Sequence, residues 1–247
     1  MNDAERTLAE QVRQARAGKR SAGPGTVLVT GGAAGLGQAV ARAVRDAGGT
    51  PVVLDIAAAP DFDGELVDLA DARAAEAAVC RAAERHGGLD AVFTAAGIDY
   101  PAPLGDLPGE SWDRIVAVNL LGTAAVVRAA LPYLRRSKGI VVTCASTLAF
   151  RAVADATAYC ASKWGVVGFT RALAAELKGA VRVTMLVPGG MHTSFFDGRE
   201  ERYKPPRGAK LNVPEDVAQS VLFALRQPTG CEIKEIVVTS SWEESWP

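Results

Sequence analysis

The feature that most limits the folds open to this sequence is the alternation of short β-branched runs with long alanine-rich segments of helical period. The two kinds of segment follow one another from Thr26 to Thr239, and no second pattern interrupts them. The short runs are apolar throughout, which is typical of parallel strands covered on both faces. The alternation therefore predicts βαβ units in a single α/β domain with a doubly wound parallel sheet.

The individual elements follow from residue type and period, and they give about seven strands with helices on both faces of the sheet. A short strand fragment is predicted over Gly64–Val67. The other predicted strands are Val27–Thr30, Pro51–Asp55, Ala91–Thr94, Ile140–Cys144, Val181–Val187 and Ile233–Thr239. The predicted helices are Leu36–Asp46, Ala72–Arg85, Ser111–Leu134, Ala156–Leu177 and Pro214–Leu225.

Three segments stand apart from this alternation. Residues 1–24 form an N-terminal extension, predicted as either a docked helix or a frayed tail. The domain itself spans residues 25–240, and its long polar loop at about 194–212 is expected to contact the substrate. Residues 241–247 form a C-terminal tail, which Trp242 and Trp246 are expected to order by burying their rings.

Charge and residue content exclude several classes of protein. The chain has 27 basic and 28 acidic side chains, so a charge-driven nucleic-acid binder or a polybasic membrane module is not expected. Two histidines and four scattered cysteines predict neither a metal site nor a disulfide framework. We find no signal-peptide segment or apolar run of about 18 residues, and therefore expect a cytoplasmic protein without a membrane partner.

A glycine-rich turn, residues 31–37 (GGAAGLG), separates the first strand from the first helix. Gly31 permits a tight turn, Gly35 lets a phosphate approach the backbone, and Gly37 lets the helix pack on the strand. The helix N-terminus adds free amides and a positive dipole end. The spacing is GxxxGxG rather than GxGxxG, so the position between strand and helix carries most of the prediction of a pyrophosphate site.

Two aspartates follow the neighbouring strands. Asp55 ends the second strand 20 residues after Gly35, where an acidic residue can bind both hydroxyls of an adenosine ribose. A turn or helix-capping aspartate is the alternative. Asp68, followed by Leu69, could lie near an adenine amino group or cap the helix Ala72–Arg85.

Tyr159 and Lys163 are four residues apart at the start of a predicted helix, so they share one face. A nearby ammonium group favours tyrosinate, and a phenol with a lowered pKa can exchange a proton with an alcohol or ketone oxygen. Ser146 lies 13 residues earlier, just after a strand, where its hydroxyl could hold that oxygen. The alternatives are a helix-surface pair and an ordinary turn serine.

Asn119 is a lone polar residue in an apolar helical run. It is either part of the site or a hydrogen-bonded core asparagine that kinks its helix.

These motifs, together with Pro188-Gly189, resemble in order and spacing the short-chain dehydrogenase/reductase family, over about Gly25 to Thr239. The resemblance implies a Rossmann-like fold, a nicotinamide coenzyme, and hydride transfer to or from a secondary alcohol or ketone. In this family pattern Ser146 would polarise the substrate oxygen and Tyr159 would be the general acid/base. Lys163 would bind the nicotinamide ribose and lower the pKa of Tyr159, while Asn119 would anchor a relay water.

The resemblance also implies sets of contact residues and a homo-oligomer, either a dimer or a tetramer. The implied coenzyme contacts are Gly31, Ala34, Gly35, Leu36, Gly37, Asp55, Ile56, Asp68, Leu69, Ala95, Ala96, Gly97, Tyr159, Lys163, Pro188, Gly189, Met191 and Thr193. The candidate substrate contacts are Ser146, Thr147, Phe150, Asp155, Gly190, His192 and Phe195, with Asp99, Arg151 and Phe196 as further possibilities. The chain departs from the family pattern at residues 94–97 (TAAG), at Ala149, and in its C-terminal residues.

Asp55 predicts NAD rather than NADP, because its carboxylate would repel a 2′-phosphate and no basic residue lies nearby in sequence. An NADPH-dependent 3-oxoacyl reductase is the alternative within the same class. A catalytically silent nucleotide-sensing protein on the same fold is the alternative from another class.

Overall fold

The computed structural model describes residues 23–243 and residue 246. The predicted N-terminal extension, residues 1–24, therefore lies outside the described residues except for Gly23 and Pro24. Residues 244, 245 and 247 of the predicted tail lie outside them as well.

The described residues form one sheet of seven parallel strands in the order β3-β2-β1-β4-β5-β6-β7. This order confirms the predicted doubly wound α/β fold. It reverses between β1 and β4, and a reversal of this kind opens a crevice at the carboxyl ends of the strands. The strands are β1 (Thr26–Thr30), β2 (Thr50–Asp55), β3 (Asp63–Leu66), β4 (Ala91–Thr94), β5 (Ile140–Cys144), β6 (Arg182–Pro188) and β7 (Glu235–Val238).

The helices cover both faces of this sheet. They are α1 (Gly35–Asp46), α2 (Ala72–Arg85), α3 (Gly109–Val116), α4 (Thr123–Ser137), α5 (Thr157–Glu176) and α6 (Pro214–Leu225). The helix predicted over Ser111–Leu134 is in fact α3 and α4, joined by a π-helical segment at Ala117–Gly122. The other predicted bounds agree with the structure to within two residues, the usual uncertainty of a helix or strand end.

The alternation of side chains along β1 shows how the two layers form. Leu28 packs on one face with α2, α4 and α5, whereas Val27 and Val29 pack on the other face with α1 and α6. All three side chains are fully buried. Successive side chains of a strand point to opposite faces of the sheet, so a strand needs apolar residues at every position only when helices cover both faces. This explains why the strands are continuous apolar runs in the sequence.

Contrary to the expectation from the sequence, the helical run Gly109–Ser137 is long and apolar enough, by length and composition, to cross a membrane. Half of its most apolar window is buried inside the protein. Its apolar side chains, among them Val126 and Leu134, pack in the core between the sheet and α2. This packing accounts for the apolar character of the run.

Candidate active site

A cavity of about 520 Å³ opens where the strand order reverses, and its volume is typical of small-molecule sites. The glycine-rich turn and the ends of β2, β4, β5 and β6 form its walls, together with the first turns of α5. Its lining includes every residue expected to contact the coenzyme: Gly31, Ala34, Gly35, Leu36, Gly37, Asp55, Ile56, Asp68, Leu69, Ala95, Ala96, Gly97, Tyr159, Lys163, Pro188, Gly189, Met191 and Thr193.

The glycine-rich turn is shaped to present backbone to this cavity. Gly31 has a φ of +68°, and a Cβ on Gly37 would lie 2.1 Å from the Gly31 carbonyl oxygen, so the turn tolerates only glycine there. Ala34 caps α1 without a side-chain hydrogen bond, and the first turn of α1 carries no acidic residue. The amides and the positive dipole end of α1 are therefore available to an anion, and this arrangement fits a pyrophosphate.

Asp55 holds this turn in place. Its carboxylate accepts hydrogen bonds from the backbone N–H of Ala33 and of Ala57, both at 2.9 Å. The side chain therefore acts as a turn aspartate at the end of β2, and it also lines the cavity.

Asp68 lies further along the same wall and pairs with Arg114 at 2.8 Å. A hydrogen bond from the Ala70 N–H and the Arg114 guanidinium hold the pKa of Asp68 below its ordinary value. Asp68 does not cap α2, because Asp71 takes that position and accepts from the N–H of Arg73 and Ala74.

Ser146, Tyr159 and Lys163 meet on the opposite wall, and all three are buried. The Ser146 hydroxyl forms a hydrogen bond with the Tyr159 phenol. Lys163 donates through Nζ to the Cys144 carbonyl at the end of β5, at 2.9 Å, and that nitrogen lies 5.7 Å from the Tyr159 ring centroid. The helical spacing and the end of β5 thus bring the three side chains together.

Burial shifts the pKa values of Tyr159 and Lys163 in opposite directions. It raises the pKa of Tyr159 well above its ordinary value, and it lowers the pKa of Lys163. The nearby Cys144 thiol and the charge of Asp99 raise the pKa of Tyr159 further, while the Ser146 hydrogen bond and Arg199 lower it. From the sequence, the neighbouring Lys163 ammonium predicts a lowered pKa for Tyr159. The ligand-free structure gives a raised pKa instead, because the phenol is buried to an extent that the sequence does not reveal.

Asn119 lies behind the cavity rather than in its lining. Within the π-helical segment its amide donates to the Ile98 carbonyl at 2.9 Å and to the Ser162 hydroxyl at 3.1 Å, and it accepts from the Ile98 N–H at 2.8 Å. These bonds match the core asparagine that was the alternative interpretation. A Cβ on Gly97 would lie 3.5 Å from both Asn119 Oδ1 and Lys163 Nζ, so this amide is close to the site.

The candidate substrate residues divide into two groups. Those in the lining of the cavity are Ser146, Thr147, Gly190, Phe195 and, from the wider set, Asp99 and Phe196. Those outside the lining are Phe150, Arg151, Asp155 and His192. Tyr203 donates its hydroxyl to the Asp155 carboxylate at 2.9 Å, and Phe150 packs edge-on against Trp246 with centroids 5.3 Å apart.

In the C-terminal tail, Glu243 rather than Trp242 packs against the body of the protein at the cavity. Trp242 was expected to be buried but is 68% exposed, with the Lys210 ammonium 3.7 Å from its ring centroid. Glu243 instead reaches the lining and accepts from the Gly190 N–H at 3.0 Å. The Trp242 ring can remain in water because the Lys210 ammonium covers its face and its indole N–H is polar. The Glu243 carboxylate is stabilised by the hydrogen bond from the Gly190 N–H.

Arg199 lies in the expected substrate loop and contributes to the lining, although the sequence does not mark it as a site residue. Its Nη2 is 3.2 Å from Asp99 Oδ2, and the two side chains are 10% and 6% exposed. No short-range signal marks such a pair, because its members are far apart in the chain.

Comparison with known proteins places this chain in a family. A family model described as short chain dehydrogenase matches residues 25–204. An uncharacterized oxidoreductase of Staphylococcus aureus strain MW2 is 32% identical over 224 residues, covering 85% of this chain and 95% of that protein. L-fucose dehydrogenase of Mus musculus is 30% identical over 239 residues, covering 88% of each chain.

Solved structures show the same architecture. An alcohol dehydrogenase from the archaeon Thermococcus sibiricus, complexed with 5-hydroxy-NADP, has a TM-score of 0.79 and 25% identity, with 89% of this chain and 97% of that chain covered. Ligand-free aldohexose dehydrogenase of Thermoplasma acidophilum also has a TM-score of 0.79, at 24% identity, with 86% and 91% covered. The fold is therefore Rossmann-like, and the chain is an oxidoreductase that belongs to the short-chain dehydrogenase family.

Proposed function

We propose that this protein transfers a hydride between NAD(H) and a secondary alcohol or its ketone. The observation that carries the proposal is that one cavity holds two kinds of site. Ser146, Tyr159 and Lys163 line one part of it, and the N-terminus of α1, whose amides receive no side-chain hydrogen bond from the N-cap residue, lines another. The bound coenzyme would accept or supply the hydride. The side chains of the protein would transfer the proton that accompanies the hydride.

The residues that would hold the coenzyme follow the cavity wall. The glycine-rich turn and α1 would bind the pyrophosphate, and Asp55 would bind the adenosine ribose. Asp68 and Leu69 would lie near the adenine. Lys163 would bind the nicotinamide ribose, and the residues after β6 would surround the nicotinamide ring.

The proton transfer is assigned to Tyr159. During oxidation, its phenolate would take the hydroxyl proton of the alcohol as the hydride leaves the same carbon. During reduction, its phenol would give a proton to the carbonyl oxygen. Ser146 would hold the substrate oxygen beside the phenol, and Asn119 would position a relay water from behind.

A titration followed by turnover separates this proposal from a silent nucleotide sensor. Coenzyme binding is measured by nicotinamide fluorescence, and activity is then measured on a panel of secondary alcohols and ketones. The panel includes sugars, because the mouse relative is named for L-fucose. Binding together with turnover supports the enzyme, whereas binding without any turnover favours the sensor.

Coenzyme preference is expected to favour NAD. Asp55 would place its carboxylate beside the adenosine ribose, and the cations in the described lining, Arg114, Lys163 and Arg199, each contact a partner of their own. Like charges 4 Å apart repel by about 4 kcal/mol at an effective dielectric near 20. We expect kcat/KM to be at least about tenfold higher with NAD than with NADP.

The matched variant for this preference is Asp55→Asn, which keeps a hydrogen-bond acceptor but removes the charge. This variant should lower the ratio of kcat/KM with NAD to kcat/KM with NADP. A preference of the unmodified enzyme for NADP would contradict the assignment and support the 3-oxoacyl reductase. The archaeal neighbour complexed with 5-hydroxy-NADP makes this measurement necessary.

A further inference from the structure

The cavity contains a buried pair of opposite charges that the proposed chemistry does not use. Asp99 follows β4 and Arg199 follows β6, and both line the cavity at 6% and 10% side-chain exposure. Side chains of this kind are rarely so deeply buried unless they are paired or bind a ligand. A pair that only fastened the loop could be replaced by apolar residues, often without loss of stability.

The hydrogen bonds of Arg199 are incomplete. Its Nε and Nη2 are buried, and neither has a hydrogen-bond acceptor within residues 23–243. Nη2 does lie 3.2 Å from Asp99 Oδ2, but that contact is ionic and lacks hydrogen-bond geometry. The rings of Phe195 and Phe196 cover the guanidinium, at 4.5 and 5.0 Å from its carbon, and they offer no acceptor in its plane.

Buried donors without acceptors are uncommon in proteins, and each costs free energy. Arg199 borders the cavity, so a small shift of its side chain would bring these donors to an oxygen atom of a ligand bound there. Asp99 complements it, because its carboxylate can accept a hydrogen bond from a ligand hydroxyl. Burial raises the pKa of this carboxyl group, and the charge of Arg199 opposes that rise.

The pair is also close to the proton-transfer residue. The Phe195 ring that covers Arg199 lies 5.7 Å, centroid to centroid, from the Tyr159 ring. The charges of Asp99 and Arg199 both act on the Tyr159 phenol. A substrate whose reacting oxygen lay at Tyr159 would therefore place its neighbouring groups near Asp99 and Arg199.

We propose that Asp99 and Arg199 recognise a neutral, polyhydroxylated alcohol, such as a pyranose sugar, by binding hydroxyls next to the reacting carbon. Asp99 accepts from one hydroxyl, and Arg199 donates to the oxygen of another. This inference rests on the proposed function, since it names the substrate class for the same site.

The pair argues against two other substrate classes. A carboxylate or phosphate would meet the negative charge of Asp99, which already neutralises Arg199. A hydrocarbon or acyl chain would leave the donors of Arg199 unpaired, and sites built for hydroxyls reject analogues without them by large factors.

The test compares pyranose sugars with cyclohexanol, a ring alcohol that lacks the additional hydroxyls. Wild-type enzyme should use at least one sugar with a kcat/KM about tenfold or more above that for cyclohexanol. Arg199→Met and Asp99→Asn should each raise the KM for that sugar by about tenfold or more, with the KM for NAD within about twofold of wild type. In each variant the ratio of kcat/KM for that sugar to kcat/KM for cyclohexanol, measured at the same pH, should fall by about tenfold or more, because an effect on the pKa of Tyr159 acts on both substrates alike.

Arg202→Met is the matched control, because Arg202 lies in the same loop, is 60% exposed, and pairs with Glu200 at the surface. It should retain wild-type kinetics. Thermal unfolding shows whether each variant folds. If Arg199→Met does not fold, Arg199→Lys keeps the charge but loses the planar donor array, and it should show the same rise in sugar KM.

Several outcomes would overturn the inference. One is an equal loss of kcat/KM on sugars and cyclohexanol, which indicates a structural role. Another is a rise in the KM for NAD alone, which assigns Arg199 to the coenzyme. A wild-type preference for a hydroxy acid or for cyclohexanol also excludes the proposed substrate class.

Failure of the proposed function is detected separately. If the protein binds NAD but turns over no substrate, sugar binding to the NAD-loaded protein is measured by calorimetry. Binding that Arg199→Met abolishes would support the recognition pair without the reaction. An absence of sugar binding would overturn it.

Discussion

At the scale of single residues, the main feature is a buried phenol beside a buried amine. Burial disfavours the charged form of each group, so the pKa of Tyr159 rises and that of Lys163 falls. The phenol is therefore protonated near neutral pH in the ligand-free protein. It is then ready to donate a proton, whereas its action as a base requires deprotonation.

Replacing Tyr159 by Phe tests its role directly. We expect Tyr159→Phe to lower kcat by about 10² to 10⁴, the usual contribution of a general acid/base. Coenzyme affinity should stay within about twofold of wild type, because the phenol transfers a proton but need not hold the coenzyme. Lys163→Ala should weaken both coenzyme binding and rate. The assigned role is wrong if Tyr159→Phe retains more than about a tenth of wild-type kcat.

The pH dependence of alcohol oxidation should follow the charges around Tyr159. The base is the phenolate, whose pKa is raised, so kcat for oxidation should increase with pH on the alkaline side. The negative charge of Asp99 raises this pKa and the positive charge of Arg199 lowers it. Asp99→Asn should therefore move the rising limb to lower pH, and Arg199→Met should move it to higher pH.

Profiles of kcat at saturating substrate, with Arg202→Met as the control, measure this effect. Cys144, which also acts on the pKa of the phenol, is unchanged in these variants, and so is Lys163, whose Nζ lies 5.7 Å from the ring centroid. Shifts of the two limbs in the same direction, or no shift in either variant, would contradict the electrostatic account.

At the scale of elements, the π-helical segment between α3 and α4 stands out. π-helical turns occur mostly as single insertions in α-helices, frequently at functional sites. Here the turn carries Asn119, whose amide joins the segment to the loop after β4 through Ile98 and to α5 through Ser162. The segment thus connects three elements that form the wall behind the cavity.

Removing this amide should destabilise the protein. Asn119→Ala leaves the partly buried N–H and C=O of Ile98 without their partner, and an unsatisfied buried group costs about 1–3 kcal/mol. We expect denaturant unfolding to show a decrease in stability in that range or above it. Asp113→Asn, an exposed change on α3, should stay within about 0.5 kcal/mol of wild type. Equal stability of the two variants would show that the amide does not hold these elements together.

At the scale of the whole molecule, several large apolar side chains remain exposed, and two of them lie on neighbouring elements. Leu121 of the π-helical segment is 55% exposed, and Trp164 of α5 is 54% exposed. The resemblance to the family leads us to propose a homo-oligomer, a dimer or a tetramer, and this surface is a suitable contact. Exposed aromatic and apolar groups of this kind are enriched in the buried centres of protein interfaces.

Light scattering with size-exclusion chromatography tests the assembly. We expect wild-type protein to be larger than a monomer and Trp164→Glu to reduce its mass, because a carboxylate is costly to bury at an apolar contact. Glu110→Gln, a change at an exposed position of α3, should leave the mass unchanged. A monomeric wild type would exclude the proposed oligomer, and a Trp164→Glu variant that keeps the wild-type mass would exclude this surface.

Much of this molecule can be predicted from its sequence, because local chemistry sets the period of each element and the residues at its ends. The apolar runs predicted the strands, and the glycine-rich turn, Asp55 and the Tyr159–Lys163 spacing predicted which residues line the cavity. These signals act over a few residues, so a sequence displays them directly.

Other properties were decided only by tertiary structure. The direction of the Tyr159 pKa shift depends on burial, and the bonds of Asn119 depend on a loop and a helix that meet in space. The pairing of Asp99 with Arg199 joins the loop after β4 to the loop after β6. Desolvation and long-range charge contacts arise only when distant segments pack together, and for that reason the sequence determined the fold and the outline of the site but not its electrostatics.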